Sequence, residues 1–492
     1  MSLPRTLDWA SLDDSDPVTL RARRPMSTAL LNLFPLVLLV AAVSADRFGI
    51  RWHGVNLRLE LIAAVVLAVW AVVTWRITAL RIGLIEWCLG GWLAVGAFAS
   101  LVFSPAPRDS LRLTLVLVGM VALYGLTVLF IRSHADLSRA ALLWIGVGTM
   151  VAAIGIVEAI LYALFDSHAG IAFDGTATGT LVEFAPRVTS TMWEANIFGS
   201  YLLTVWALGF AVSRVPAART RGRKWFLRIA MAVVTTGIVL STTRVVWVVA
   251  PVLMLAMMAV SLQRGFLSRR GLLADFFNPN LAGIAAGLAL VTAMSVVDCP
   301  MPAASSSVAT TYAGSNPASG SPSASSNPVQ APGCFRGGSV FVQHAHGFFA
   351  AGSTSSFTGR LEVAKLALKG WLRRPIFGNG TGSFLYVFGP TTSGWIGNLP
   401  LHLLFDTGIV GFLLLLFALI AACRSALRGL RTVSAWETTH FVLFGLVAAG
   451  LALLATYQFT DGTWLGFTWV FFGMLVAGGR LTRGMGQRLR SA

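Results

Sequence analysis

Apolar runs long enough to cross a bilayer recur along this chain, and that pattern leaves few folds open to it. They fall at roughly 27–45, 60–76, 82–103, 111–131, 139–165, 196–213, 226–242, 245–262, 281–297, 401–422, 440–457 and 464–479. A helix of about 20 apolar residues spans the hydrocarbon core. Lipid offers the backbone no hydrogen-bond partners, so such runs are expected as helices. The expected fold is an all-α polytopic membrane protein with about 12 transmembrane helices and a large extracytoplasmic loop between helices 9 and 10. Hydrophobic residues make up 56% of the chain and charged residues 12%. A soluble domain carries about twice that charge, which excludes a soluble enzyme on a single anchor. The first run begins near Met26, after "RARR", with no small-residue cleavage site behind it. It reads as a retained helix and not a signal peptide.

A net charge of +17 invites a nucleic-acid reading, but the arginines gather in short loops between apolar runs, as membrane topology predicts. With the amino terminus in the cytoplasm, "RVPAARTRGRKWFLR" (214–228), "RGFLSRRG" (264–271), "RSALRGLR" (424–431) and the tail "RLTRGMGQRLR" (480–490) all fall inside. Both termini are then cytoplasmic. Only "DRFGIRWHGVNLR" (46–58) runs against this bias.

The organisation read from this topology has three parts. Residues 1–297 hold helices 1–9, with an outer loop at 166–195. Residues 298–400 form the large outer loop, and 401–492 hold helices 10–12 and the basic tail. Within the loop, about 301–333 is Ser/Ala/Pro/Gly-rich and reads as disordered. About 337–400 regains aromatics and charge and reads as folded. Cys299 and Cys334 bracket the low-complexity piece. A disulfide there would clip a long extracytoplasmic loop at its base, although spacing alone leaves the pairing open. Cys88 and Cys423 lie in or beside helices and read as packing residues. No Cys/His cluster has zinc spacing. The isolated His344-Ala345-His346 could bind a metal, but such a pair is more often surface polarity.

Four outward stretches carry groups suited to chemistry. In "PRVTSTMWEANIFGSYL" (186–202), Arg187 precedes a helix, with Glu194 and Asn196 at its mouth. Asn196 there suits an N-cap. In "STTRVVWVVAPV" (241–252), Arg244 stands between apolar runs with no acidic neighbour. Such an arginine marks a function or reaches to the interface. In "FTGRLEVAKLALKGWLRRPIFGNGTGSF" (357–384), a basic amphipathic helix containing Arg360 ends at Pro375. A helix of that kind can lie on an anionic membrane surface. The "GNGTG" after it has the backbone freedom to approach a phosphate. In "NLPLHLLFDTGIVGFLLLLF" (398–417), His402 and Asp406 are one turn apart and share a face. Arginine forks match phosphate oxygens, and no nucleotide fingerprint appears on the inner side.

These stretches, in this order, resemble the O-antigen ligase and polymerase family of bacterial envelope glycosyltransferases. "RVTSTMWEANIFGSYL" resembles the family's arginine followed by an "EPN"-like helix start, and "STTRVVW" resembles its "SRxxW" turn. "TGRLEVAKLALKGWLRRPIFGNGTGSF" resembles "SGR…PxxGxGxGxF". "NLPLHLLFDTGIVGFLLLLF" resembles a helix that opens with a polar cap and carries "GxxG", here Gly408 and Gly411. The likeness covers about residues 180–420. One position departs from it. Family members open the last stretch with His-Asn, and here Asn398 keeps the asparagine while Gly397 stands in the place of the histidine. His402 either replaces that base or only caps polar groups.

The resemblance implies metal-independent glycosyl transfer at the outer face of the bacterial inner membrane, with no cofactor. The partners it implies are a glycan on a polyprenyl pyrophosphate such as undecaprenyl pyrophosphate, and a lipid or glycan acceptor, as in lipopolysaccharide or polysaccharide synthesis. Arg187, Arg244 and Arg360 would hold the pyrophosphate, Arg244 also acting in catalysis, and His402 or Glu194 would take the acceptor's proton. A transporter or flippase of lipid-linked glycans is the rival class. An inactive scaffold in envelope synthesis is the third.

Overall fold

The computed structural model describes residues 26–52, 55–74, 82–178, 181–215, 221–265, 276–296, 355–389, 396–433 and 438–491. Cys299, Cys334, the low-complexity segment, His344 and His346 lie outside them. The described helices are α1 (Met26–Val43), α2 (Leu59–Val73), α3 (Leu84–Val102), α4 (Pro107–Phe130), α5 (His134–Phe165), α6 (Ala195–Ser213) and α7 (Arg221–Leu240). They continue with α8 (Arg244–Gln263), α9 (Asn278–Val296), α10 (Ser355–Arg373), the single-turn α11 (Phe384–Phe388), α12 (Leu399–Thr432), α13 (Thr438–Thr456) and α14 (Gly466–Ser491).

Each expected apolar run falls on one of these helices. Seven of them, α3, α4, α5, α6, α8, α12 and α13, are long and apolar enough to cross a membrane. The others are shorter in their apolar part, as in α2, or carry basic residues at one end, as in α7 and α14. The chain is a mostly helical, multi-pass membrane protein.

The all-α expectation needs one amendment. Among the described residues, β1 (Gly49–Trp52) pairs antiparallel with β2 (Val55–Arg58), and β3 (Ile171–Thr178) with β4 (Leu181–Val188). Both hairpins fill loops assigned to the outer side. There a segment too short for a helix pair meets its backbone hydrogen bonds by folding on itself.

Local chemistry sets several boundaries. Ser133 accepts from the Asp136 amide and Asp136 returns the bond to Ser133, a capping box that opens α5. Pro107 starts α4, where its missing N–H costs nothing. Around the buried α6, Trp144, Tyr201, Phe467 and Phe471 form a ring cluster. Trp144 also donates to Thr204 at 2.9 Å. Tyr201 shares a 2.7 Å hydrogen bond with Ser44, fastening the C-terminal end of α1 to α6.

Helix α12 positions the site. It runs through 34 residues and breaks at Gly408, whose φ of 63° and ψ of −168° are not helical. The loop after α10 repairs the break. In an unbroken helix the Ile409 and Val410 amides would bond the carbonyls of Phe405 and Asp406. Here those carbonyls accept instead from Asn379 (2.8 Å) and Gly380 (3.0 Å), while Ile409 and Val410 donate to Pro375 (2.9 Å) and Ile376 (3.2 Å). The Gly382 amide adds a 2.9 Å bond to Asp406 Oδ2. Of the "GNGTG" amides that looked free to cradle a phosphate, those of Asn379, Gly380 and Gly382 are thus committed to α12, that of Thr381 to Ser100 Oγ of α3 (3.0 Å) and that of Gly378 to the Arg374 carbonyl (3.0 Å). Gly411, the second glycine of the pair, leaves room for the Thr407 side chain, whose Oγ1 a Cβ would approach to 2.2 Å, and for Trp92 of α3 at 3.3 Å.

Candidate active site

The N-terminal end of α12 opens at Asn398, whose side chain accepts from the Leu401 amide at 3.0 Å as an N-cap. Its Nδ2 donates to the Gln458 carbonyl at 2.9 Å, and the Leu399 amide donates to the Tyr457 carbonyl at 2.9 Å. The segment 457–465, between α13 and α14, is therefore laid against the start of α12.

His402 sits one turn below this cap, buried with Asp406 and Asp461. Its Nε2 lies 3.1 Å from Asp406 Oδ2, as the one-turn spacing predicts. Its Nδ1 meets Asp461 Oδ2. Trp464 stacks obliquely over the imidazole with centroids 6.3 Å apart. Asp461 is fixed in turn, because its Oδ1 accepts from the Thr463 amide at 2.9 Å and the Thr463 hydroxyl at 2.8 Å. With Trp92, Thr381, Thr407 and Thr463, His402 and Asp406 line a small cavity.

A second charged knot also holds the same segment. Arg58, at the mouth of α2, donates to the Trp464 carbonyl (2.7 Å), Asp46 (3.0 Å) and Glu60 (3.2 Å). Glu60 also accepts from the Gly466 amide at 3.2 Å. Burial pushes the Asp46 carboxyl above the usual carboxylate range, and Arg58 pulls it back only in part.

Glu194 occupies the N-cap of α6, a place the sequence suggested for Asn196. It makes no capping bond, and its side chain is exposed. Protein crowds it closely enough that desolvation still raises its carboxyl pKa. Arg360 opposes the rise, and Asp46 adds to it. Arg360, exposed on α10, also donates to the Phe459 carbonyl at 3.0 Å. Arg360 thus ties the start of α10 to the 457–465 segment, and its charge acts on the carboxyl at the mouth of α6.

The other two arginines lie on elements that touch α6, with no hydrogen bond or ion pair to Glu194 or Arg360 among the described residues. Arg187 lies on β4, opposite Ala172 and half-buried. Arg244 is the first residue of α8. The turn before it packs on α6, where Ser241 and Val246 crowd Gly199 so closely that a Cβ would come within 2.8 and 2.9 Å of them. The Nε of Arg244 is buried with no hydrogen-bond partner among the described residues. Cys88 is buried and Cys423 half-buried, both unpaired as packing residues would be.

Asp461 is the functional candidate that sequence reasoning missed. Its only sequence signal is an acidic residue in a short outer turn, "QFTDGTW", between two apolar runs.

Residues 229–416 match a family model described as O-antigen ligase. That stretch holds Arg244, Arg360, Asn398, His402, Asp406 and the Gly408/Gly411 pair, and it stops short of Asp461. No curated protein matches the chain.

Proposed function

We propose, from the assignment of residues 229–416 to the O-antigen ligase family, that the protein is a glycosyltransferase. In this reading it moves a glycan from a polyprenyl-pyrophosphate carrier to an acceptor hydroxyl, at the outer face of the bacterial inner membrane. The observation that carries it is Arg360, held on the Phe459 carbonyl of the 457–465 segment, with its charge acting on the Glu194 carboxyl. An exposed carboxylate and an exposed guanidinium there flank the outer end of the helix that holds His402.

In the proposed reaction the acceptor oxygen attacks the anomeric carbon, the bond to the pyrophosphate oxygen breaks, and its electron pair leaves with the phosphate. Glu194 takes the acceptor's proton. Its raised pKa makes it a better base than an ordinary surface carboxylate. Arg360, Arg244 and Arg187 take the charge that develops on the leaving group, so that electrostatic stabilisation does the work without a metal. The unpartnered Nε of Arg244 supports a ligand-facing role for it.

His402 is assigned a positioning role. Both its nitrogens face carboxylates, and a ring protonated on both nitrogens satisfies the two together. It locks the 457–465 segment to α12, and so sets the Phe459 carbonyl that orients Arg360.

The test is a turnover assay on purified protein, given polyprenyl-pyrophosphate oligosaccharide with and without an added lipid acceptor. A ladder of lengthening chains without the acceptor identifies a polymerase. A single product that requires the acceptor identifies a ligase. Folded protein with no product under either condition overturns the reading.

A further inference from the structure

Helix α10 has two faces, and only one is accounted for. Val363, Ala367 and Gly370 pack on α11 and on Phe405 of α12. On the opposite side Leu361, Leu368 and Leu372 are 45%, 45% and 62% exposed. At helical spacing these three form one stripe. Lys365 lies within it, and Lys369 and Arg373 flank it, all exposed.

The level of this face is fixed by its contacts. At the end of α10, Arg374 donates to the Phe103 carbonyl and lies 5.1 Å over the Phe103 ring, at the outer end of the span α3. Phe377 packs edge-on against Phe98 of α3, with centroids 5.2 Å apart. Phe98, Leu101 and Val102 are themselves 44%, 59% and 56% exposed on a membrane-spanning helix. An apolar surface therefore continues from the lipid-facing side of α3, across Phe377 and Ile376, to the leucines of α10.

We propose that α10 lies in the outer leaflet's interface, its leucine stripe entering the acyl boundary and Lys365, Lys369 and Arg373 engaging anionic lipid phosphates. Continuity with the lipid-facing side of α3 points to lipid as the occupant. The basic flank matches the anionic headgroups such a surface carries. Arg360 lies on the opposite flank, toward Glu194, so the helix would meet lipid along one side and the site along the other.

The test uses the full chain with its native cysteines replaced by serine and one reporter site, Leu368→Cys or, separately, Leu361→Cys, carrying an environment-sensitive fluorophore. Each protein is reconstituted into vesicles whose lipids carry bromine at defined acyl depths. Leu255→Cys, on the exposed side of the span α8, serves as the deep reference. The expected result is strong quenching at both α10 sites by shallow bromines, about 5–10 Å below the headgroups, and quenching of the reference by deep ones. In vesicles containing phosphatidylglycerol, Lys365→Glu/Lys369→Glu/Arg373→Glu in the same background should weaken the α10 quenching, while in purely zwitterionic vesicles it should not. Labels at both α10 sites that resist lipid bromine but yield to aqueous iodide overturn the interfacial placement. Quenching indifferent to the charge reversal overturns the anionic-lipid contact. The readout is position alone, so either result leaves the glycosyl-transfer reading to its own assay.

Discussion

His402 Nδ1 meets the carboxylate of Asp461, and through that contact the turn between α13 and α14 is fastened to the N-terminal end of α12. Breaking a buried charged pair by removing one partner costs about 3–5 kcal/mol. Asp461→Ala should therefore lower thermal stability markedly in detergent, and Asp461→Asn, which keeps an acceptor for the ring, should lower it less. If the two residues act as one unit, His402→Ala added to Asp461→Ala should cost little more. Additive losses in a double-mutant cycle would mean that they work separately.

His402→Ala should slow transfer far more than Asn398→Ala. The asparagine caps a helix and reaches one carbonyl, and loss of such a cap costs about 1 kcal/mol. The histidine ties two elements together. Rates measured on folded variants decide the point, and the reverse ranking would shift the weight to the helix cap.

Arg244→Ala should reduce transfer by about 100-fold, the effect of losing about 3 kcal/mol of charge stabilisation, with membrane expression unchanged. Full activity in the variant would remove Arg244 from the site.

Glu194→Gln should cost about 10²–10⁴ in rate, as removal of a general base does. Its pH signature has a definite sign. The folded carboxyl has a raised pKa, so between the ordinary carboxylate pKa and that raised value the folded state holds more protons than the unfolded one. Stability falls as pH rises through that window. Glu194→Gln should therefore be more stable than the parent at neutral pH, and the gain should vanish below about pH 4. Melting curves across pH read this directly.

Gly408→Ala should be poorly tolerated. At φ 63° an L residue is strained, and the new Cβ would stand 2.3 Å from the Ile376 carbonyl oxygen and 2.6 Å from the Phe377 nitrogen. A lowered unfolding temperature together with lost activity is expected.

Much of the fold is legible in the sequence because lipid imposes a single rule on length and apolarity. The candidate residues on α12 are legible too, since His402 and Asp406 are one turn apart. Three things are not. Asp461 reaches His402 only through the return of α13, and no local spacing encodes that contact. The hairpins stand where loop sequence gives no helical period. The glycines after Pro375 carry a signal that fits two uses, a phosphate cradle or close backbone packing. The choice between these depended on the broken hydrogen bonds of α12, which a run of apolar letters does not reveal.

That break changes what the helix is. Above Gly408 the carbonyls that should hold the next turn are held by the loop after α10, and below it the amides are held by the same loop. By covalent chain, the turns bearing His402 belong to a membrane span. By hydrogen bonding they are a separate segment, joined to the rest of α12 through Pro375–Gly380, so a displacement of that loop would be felt on both sides of Gly408 at once.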